Sequence, residues 1–442
     1  MATNSNTFII RHPFKKQQDE IMQLLITLAG IVVLVLCAVA LSDNRKAINW
    51  RTVGGALFLQ ASFAALVLYI PIGQKMLGAM SDGVAGLLSF ADVGINFVFG
   101  DLSNIEKSGF VFAIRVLPLV IFISALISLL YYFGIMQWII KVLGGGIQKV
   151  LGTSRAESLV ATGNIFLSQG ESPLLIRPFL ASMTRSELFV VMTCGMASVA
   201  GSVLGGYAGL GVDLKYLIAA SFMAAPGGLL MAKILVPEQE TPQEQTEIEM
   251  AKSEHSNAID ALAAGAMNGM KVSVAIGTML IAFVSVIAMA NAGLEGVGHW
   301  LATITGAIGL DTVSHWFATT PLTMQAILGY IFSPLAFAVG VPAHEMMKAG
   351  TFIGEKLILN EFVAFMDFAS VKQALSEHTQ VIVTFALCGF ANIGSIAIQI
   401  GSIGVMAPER RGDVAKLGVK AVLAATLANL MSAALAGIFV SL

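Results

Sequence analysis

Apolar residues in this chain run in long blocks with few interruptions. Residues 24–41, 54–72 and 272–290 contain no charged side chain, and about 20 apolar residues in a helix are what a hydrocarbon core requires. Residues 109–135 form a further long apolar block, interrupted only by Arg115, so the first third predicts plain spanning helices. Strands of a membrane β-barrel would alternate apolar with polar positions, and these blocks do not. Between them lies "QKMLGAMSDGVAGLLSFADVGINFVFGD" at 74–101, whose glycines and aspartates are too polar for a clean span and too apolar for a soluble loop. That mixture predicts an interfacial segment. "PEQETPQEQTEIEMAKSEHSN" at 237–257 carries six glutamates and predicts a solvated linker. A long helix is expected after it over 258–290, with Asp260 and Lys271 near its start.

The remaining blocks are broken. "CGMASVAGS" at 194–202 interrupts an apolar run with glycines and hydroxyls, and "CGFANIGSIA" at 388–397 does the same 194 positions later. A polar tip with a carboxylate precedes each, "SQGES" with Glu171 and "LNEF" with Glu361. The separations are similar, 23 positions from Glu171 to Cys194 and 27 from Glu361 to Cys388. This is an internal duplication. Paired, polar-interrupted segments in two halves of a membrane protein mark a transporter whose binding site lies near the midplane. Non-helical backbone persists at that depth only where protein or a water-filled cavity satisfies it.

Composition narrows the class. The 442 residues are 56% hydrophobic and 12% charged, with a mean hydropathy of +0.82, against about 25% charged in a soluble domain. This is the composition of an integral membrane protein. The net charge of −2 gives no hint of a nucleic-acid partner. Cys37, Cys194 and Cys388 lie in apolar segments and suggest small hydrophobes rather than a disulfide framework. "TFIIRHPFKKQQDE" at 7–20 lacks the apolar core and cleavage site of a signal peptide. "HEMMK" at His344 lacks the second histidine of a zinc-protease helix, and neither G-x-S-x-G nor a Walker A sequence occurs, so an enzyme is poorly supported. A channel remains a rival class, although two dissimilar carboxylate tips suggest an occluded site more than a continuous ring.

At the first tip, Pro173 disfavours helix at Ser172, and Ser before Pro reads as an N-cap with a helix running through "LLIRPF". If the residues before it are extended, Gln169 and Glu171 share a face and can reach one ligand. Free N–H groups of the following helix would face the same space. The whole element reads as a helical hairpin that enters the membrane and turns back. Glu171 has a structural alternative as an ion-pair partner of Arg177 or Arg185, and Glu361 as a partner of Lys356. An ionisable side chain at membrane depth costs about 2.5 kcal/mol or more, which favours function. Asn392 and Ser395 are three apart and share a helix face. Phe390, two residues before Asn392, reads on its own as ordinary packing.

The stretches "SQGESPLLIRPF", "ASVAGSVLGGYAGLG", "AASFMAAPGGLLMAK", "NEFVAF" and "CGFANIGSIAIQIG" together resemble the concentrative nucleoside transporter family over most of the chain. The resemblance implies an all-α membrane protein with about eight transmembrane helices, two re-entrant hairpins, an interfacial helix and an inverted repeat with two broken helices, assembled as a homotrimer. It divides the chain into scaffold at 1–141 and 258–313, transport domain at 142–236 and 314–442, and linker at 237–257. It implies symport of nucleosides with sodium, or in the rival case with protons, across a bacterial inner membrane, with no organic cofactor. Residue by residue, it places Gln169 and Glu171 on the nucleobase with Val203 nearby, and Glu361, Asn392 and Ser395 on the ribose, with Phe390 bounding the pocket. Sodium would bind Asn164 and Ser198, and the backbone carbonyls of Leu167 and Val199. The sequence departs from the usual Gly-Gln-Thr/Ser-Glu-Ala/Ser-Pro tip at two positions, Ser168 and Gly170. Serine at the first accompanies pyrimidine preference in the family, whereas Gly170 opens space on the other side.

Overall fold

The structure is a computed structural model that describes the backbone of residues 13–243 and 255–442, with side chains from residue 21 onward. The expected reading of 7–20 as other than a signal peptide, and most of the polar linker, fall outside the described side chains or backbone. All the regular elements described are helical.

In chain order these are α1 (Pro13–Ala40), α2 (Trp50–Ala64), α3 (Pro71–Phe99), α4 (Ile105–Ser108), α5 (Phe112–Arg115), α6 (Leu117–Tyr132), α7 (Ile135–Leu151), α8 (Arg155–Gly163), α9 (Arg185–Ala197), α10 (Gly201–Gly209) and α11 (Leu214–Leu235). The second part holds α12 (Ala258–Ala307), α13 (Asp311–Thr319), α14 (Met324–Ala338), α15 (Met346–Ile358), α16 (Glu361–Val371), α17 (Glu377–Leu387), α18 (Ile393–Met406) and α19 (Arg411–Ser441). Eight of the described helical segments are long and apolar enough to cross a membrane. Segment 74–101, expected at the interface, lies almost wholly within the continuous helix α3, itself one of those eight. Only Gly73, Leu77, Ala91 and Ile95 of α3 are buried, so it lies against the body along one narrow line. The helix expected over 258–290 continues to Ala307. Its 50 residues make it about 75 Å long at 1.5 Å per residue, far more than a bilayer's hydrocarbon.

The duplication is visible as a repeated order. α7 leads into hairpin arm α8, a tip, a 3₁₀ return arm (Ser172–Phe179), the broken pair α9 and α10, and then α11. α14, α15, a tip, α16, the broken pair α17 and α18, and α19 follow the same order. α9, α11, α17 and α19 pack on one another, while α6 packs along α12. The central four are buried nearly all round: α11 leaves only three side chains less than fully buried, Lys215, Tyr216 and Phe222. Such helices are hydrophobic on every face because every face meets protein.

Sequence caps fix where the arms begin. Ser154 and Glu157 form a capping box at α8, and Thr184 and Glu187 form another at α9, each satisfying two N–H groups that helix geometry leaves free. Lys233, near the end of α11, pairs with Glu157 and donates to Ser186 Oγ at 3.1 Å. The same end of three helices is thereby tied together. Cys194 and Cys388 are buried, Cys37 is exposed, and all three are free thiols.

Candidate functional site

The two breaks meet at the centre of the fold. α9 stops at Ala197, Ser198 is extended (φ −109°, ψ 169°), and α10 resumes at Gly201. In the second repeat α17 stops at Leu387 and α18 resumes at Ile393, with Asn392 as an N-cap whose side chain accepts from Ser395 N at 2.9 Å. The strands of backbone between the half-helices cross, and Phe390 N donates to Ser198 O at 3.1 Å. One asparagine on α19 serves both ends. Asn429 Nδ2 donates to Ala197 O at 2.6 Å and to Cys388 O at 3.2 Å, and its Oδ1 accepts from Lys356 Nζ, also at 2.6 Å. Lys356 Nζ donates to Ala386 O at 2.8 Å as well. Carbonyls that a helix end leaves without partners are thus satisfied inside the protein. Gly389 is required here, because a Cβ at that position would lie 2.4 Å from Asn429 Oδ1 and 2.8 Å from Ala197 O.

The tip of hairpin 1 is anchored to the first break by Gly201 N, which donates to Phe166 O at 3.0 Å. That bond joins the segment that carries Asn164 and Leu167 to the one that carries Ser198 and Val199. Asn164 is fully buried, its Nδ2 donates to Val160 O at 2.9 Å, and its Oδ1 has no protein partner. Ser198 Oγ donates to Cys194 O at 3.1 Å, leaving its lone pairs to accept. An orphaned buried carboxamide oxygen beside unwound backbone is the donor set a hard monovalent cation takes.

Before Ser172 the chain forms a tight turn rather than an extended strand, since Glu171 N and Ser172 N both donate to Ser168 O at 3.0 Å. Gln169 and Glu171 therefore diverge. The helix expected from Pro173 through "LLIRPF" is a 3₁₀ segment broken at Ile176 (φ −125°, ψ 19°), and Ser172 does not cap it; Glu171 occupies the cap position without a capping bond. Pro178, inside the segment, lacks a donor and its ring clashes with the carbonyl four residues back, so a regular α-helix does not run through it, whereas Pro173 sits in the first turn where the missing N–H costs nothing. Gln169 Nε2 donates to Ser395 Oγ at 2.8 Å, and Gln399 Nε2 donates to Gln169 Oε1 at 3.3 Å. Glu171 instead accepts from Ser168 N at 3.1 Å and Ser168 Oγ at 2.9 Å through Oε2, and from Asn268 of α12 at 3.1 Å through Oε1. Neither Arg177 nor Arg185 pairs with it; Arg185 pairs with Asp43 at 3.0 Å.

Around these groups lies a cavity of ≈ 250 Å³. Ser168, Gln169 and Gly170 form one side, Leu359 to Phe362 of the second tip another, and Phe390, Asn392, Gly394, Ser395 and Ile398 the floor. Ile276, Met279, Leu280 and Phe283 of α12 close it, a spacing that places them on one helix face. Glu361 is 5% exposed, and its carboxylate accepts from Tyr207 OH at 3.1 Å and from Asn392 Nδ2 at 3.3 Å. Lys356, its expected alternative partner, is committed to Asn429. Of the sequence-derived site residues, Ser168, Gln169, Gly170, Glu361, Phe390, Asn392 and Ser395 line this cavity, whereas Glu171 and Val203 do not. The arrangement offers carboxylate and carboxamide acceptors at one end and an apolar wall at the other, which suits a small ligand with hydroxyls and a flat ring.

Sequence reasoning missed Tyr207, Gln399, Asn360 and the α12 wall. Asn360 caps α16 by accepting from Val363 N at 2.9 Å, and Asn before an apolar run is a legible cap signal. Nothing in the sequence distinguishes the α12 wall from a lipid-facing stripe.

This is the architecture of a secondary transporter, with two crossed broken helices and two hairpin tips around one internal cavity. Profiles described as Na+ dependent nucleoside transporter N-terminus, nucleoside recognition (Gate) and Na+ dependent nucleoside transporter C-terminus match residues 29–102, 113–213 and 216–437. An uncharacterized transporter of Haemophilus influenzae is 52% identical over 95% of this chain and 99% of its own. The nucleoside permease NupC of Helicobacter pylori is 45% identical over 95% of this chain and 98% of its own. The transporter CNTnw, solved in an inward-facing substrate-bound state, superposes with a TM-score of 0.87 at 50% identity, covering 94% of this chain and 98% of that one. Variants of CNTnw have been solved in outward-facing states. The chain belongs to the sodium-dependent, concentrative nucleoside transporter family and is a multi-pass membrane protein.

Proposed function

We propose that this protein imports nucleosides by symport with sodium through alternating access, with pyrimidine nucleosides such as uridine and cytidine favoured. The observation that carries the reading is the pairing, across one hydrogen bond between Gly201 and Phe166, of an orphaned buried Asn164 Oδ1 with a cavity whose carboxylate, Glu361, is held by Tyr207 and Asn392. An ionised carboxylate has about four lone-pair sites, so two remain for a ribose diol. Asn164, Ser198 and the carbonyls of Leu167 and Val199 would hold sodium. Phe390 would bound the sugar, and Gln169 would turn from Ser395 to the nucleobase. Glu171 would leave Asn268 to join it, with Val203 packing behind. The scaffold would comprise 1–141 and 258–313, carrying the transport domain of 142–236 and 314–442, in a homotrimer in the bacterial inner membrane. The exposed apolar faces of α3 and α12 suit lipid or a neighbouring protomer.

One sodium suffices energetically. A charge crossing 100 mV is worth about 2.3 kcal/mol, and a tenfold gradient about 1.4 kcal/mol more, together enough for a several-hundred-fold accumulation. Uptake of radiolabelled uridine and adenosine into proteoliposomes, with and without a sodium gradient, tests the proposal. Uridine accumulation that requires sodium is expected. Accumulation driven by a pH gradient alone would replace sodium by protons, and unsaturable, gradient-independent flux would point to a channel.

A further inference from the structure

Gln399 is 1% exposed and lies one turn of α18 beyond Ser395, outside the groups that line the cavity. Its Nε2 donates to Met192 O of α9 at 2.9 Å and to Gln169 Oε1 at 3.3 Å, while its own Oε1 has no donor. Gly195 on α9 permits the approach, because a Cβ there would lie 3.1 Å from both Gln169 Cβ and Gln399 Nε2. A buried, unpartnered carboxamide oxygen costs stability, and an apolar side chain of similar length would fill the same space without that cost. What glutamine adds here is a nitrogen with two hydrogens.

The direction of this chain of bonds is fixed from both ends. A backbone carbonyl can only accept, so Met192 O demands the nitrogen of Gln399. The second hydrogen of that nitrogen meets Gln169, whose facing atom is then its oxygen. At the far end Phe390 O accepts from Ser395 Oγ at 2.6 Å. A hydroxyl has one hydrogen, so Ser395 Oγ can only accept from Gln169, and the atom of Gln169 that faces it, at 2.8 Å, is the nitrogen. Two backbone carbonyls therefore impose one orientation on the carboxamide at the first tip. A flipped Gln169 would set its nitrogen against the nitrogen of Gln399 and its oxygen against a hydroxyl whose hydrogen is already given.

We propose that Gln399 is a positioning residue for base selection: it holds Gln169 by the oxygen, so that the tip meets the nucleobase with N–H groups and selects bases that carry an exocyclic carbonyl oxygen on that edge. This role presupposes the nucleoside transport proposed above and adds to it the direction of one hydrogen bond. Gln399 acts only through Gln169. Ser395 keeps its hydrogen on Phe390 O, so when Gln169 turns to a base the hydroxyl remains an acceptor, which suits a ribose hydroxyl.

Half-saturation for uptake of uridine, 2-thiouridine and 4-thiouridine by the full-length protein in proteoliposomes reads the direction of that bond, because sulfur accepts a hydrogen bond less well than oxygen. In the wild type one thio analogue should be weaker than uridine by about three- to tenfold, part of a hydrogen bond's worth. Equal values for all three refute the role without any variant. Gln399→Met keeps the bulk and removes both donors, so Gln169 can turn over and the penalty should shrink to about twofold or less. Gln399→Glu puts an oxygen where Nε2 stood, which draws the nitrogen of Gln169 away from the base, and the penalty should vanish or reverse; this variant serves if Gln399→Met does not fold. In a Gln169→Ala background the penalty should be absent, and Gln399→Met should change it no further. Gln399 variants that keep the full penalty, or that weaken all three nucleosides equally, overturn the proposal and reduce Gln399 to a tie between α18 and α9. Absence of wild-type nucleoside uptake would overturn the proposed function as well, whereas uptake that responds to thio substitution but not to Gln399 overturns this role alone.

Discussion

Replacing Glu361 by glutamine changes one atom's chemistry at the centre of the cavity. In the native protein one carboxylate oxygen accepts from Tyr207 OH at 3.1 Å and the other from Asn392 Nδ2 at 3.3 Å. Glutamine can keep its oxygen toward Tyr207, which turns an NH2 group against the NH2 of Asn392, or reverse the two and oppose Tyr207 instead. Either way the side chain loses its charge and one oriented acceptor. A hydrogen bond to a charged group is worth about 1.5–3 kcal/mol, so half-saturation for a ribonucleoside should rise about 10- to 150-fold. The fold should not suffer in proportion, because the substitution also removes a charge that is costly to bury. Uptake of uridine and 3′-deoxyuridine into proteoliposomes, with thermal unfolding of the ligand-free protein as a control, measures both parts. The advantage of uridine over the deoxy analogue should collapse in the variant. Equal losses for both substrates, or a large fall in unfolding temperature, would show that Glu361 holds the structure together and does not read the sugar.

Asn164→Ala removes the orphaned Oδ1 and should raise the sodium concentration for half-maximal uptake; an unchanged sodium dependence would remove this residue from the ion site. Ser168→Gly removes the hydroxyl that donates to Glu171 at 2.9 Å and clears space at the tip, so adenosine uptake should improve by about 1–3 kcal/mol of discrimination while uridine changes little. A constant purine-to-pyrimidine ratio would place base selection elsewhere. Asn429→Leu strands two helix-end carbonyls and removes one acceptor from the buried Lys356 ammonium, and at about 1–3 kcal/mol for each of the three unmade bonds it should lower stability by roughly 3–9 kcal/mol, read as a large drop in unfolding temperature. A near-native unfolding temperature would mean that other groups satisfy the crossing.

Much of the architecture was legible in the chain itself. Uninterrupted apolar blocks dictate membrane helices, since unpaired backbone cannot be left in hydrocarbon, and breaks repeated 194 positions apart mark where cargo can be held. Glu361, Asn392, Ser395 and Phe390 were readable as a group because their spacing within one repeat survives folding. The first tip was read less well. Whether Gln169 and Glu171 share a face depends on a turn closed by Ser168 O, and two prolines left that conformation open. The sequence could not show that Glu171 rests on Asn268, that Tyr207 reaches Glu361 from 154 positions away, or that Asn429 joins both breaks. Periodicity specifies which residues share a helix face, because that is set by local backbone geometry. Which face meets another helix, and which buried polar atom finds its partner, is settled only when the repeats pack together and water is excluded between them.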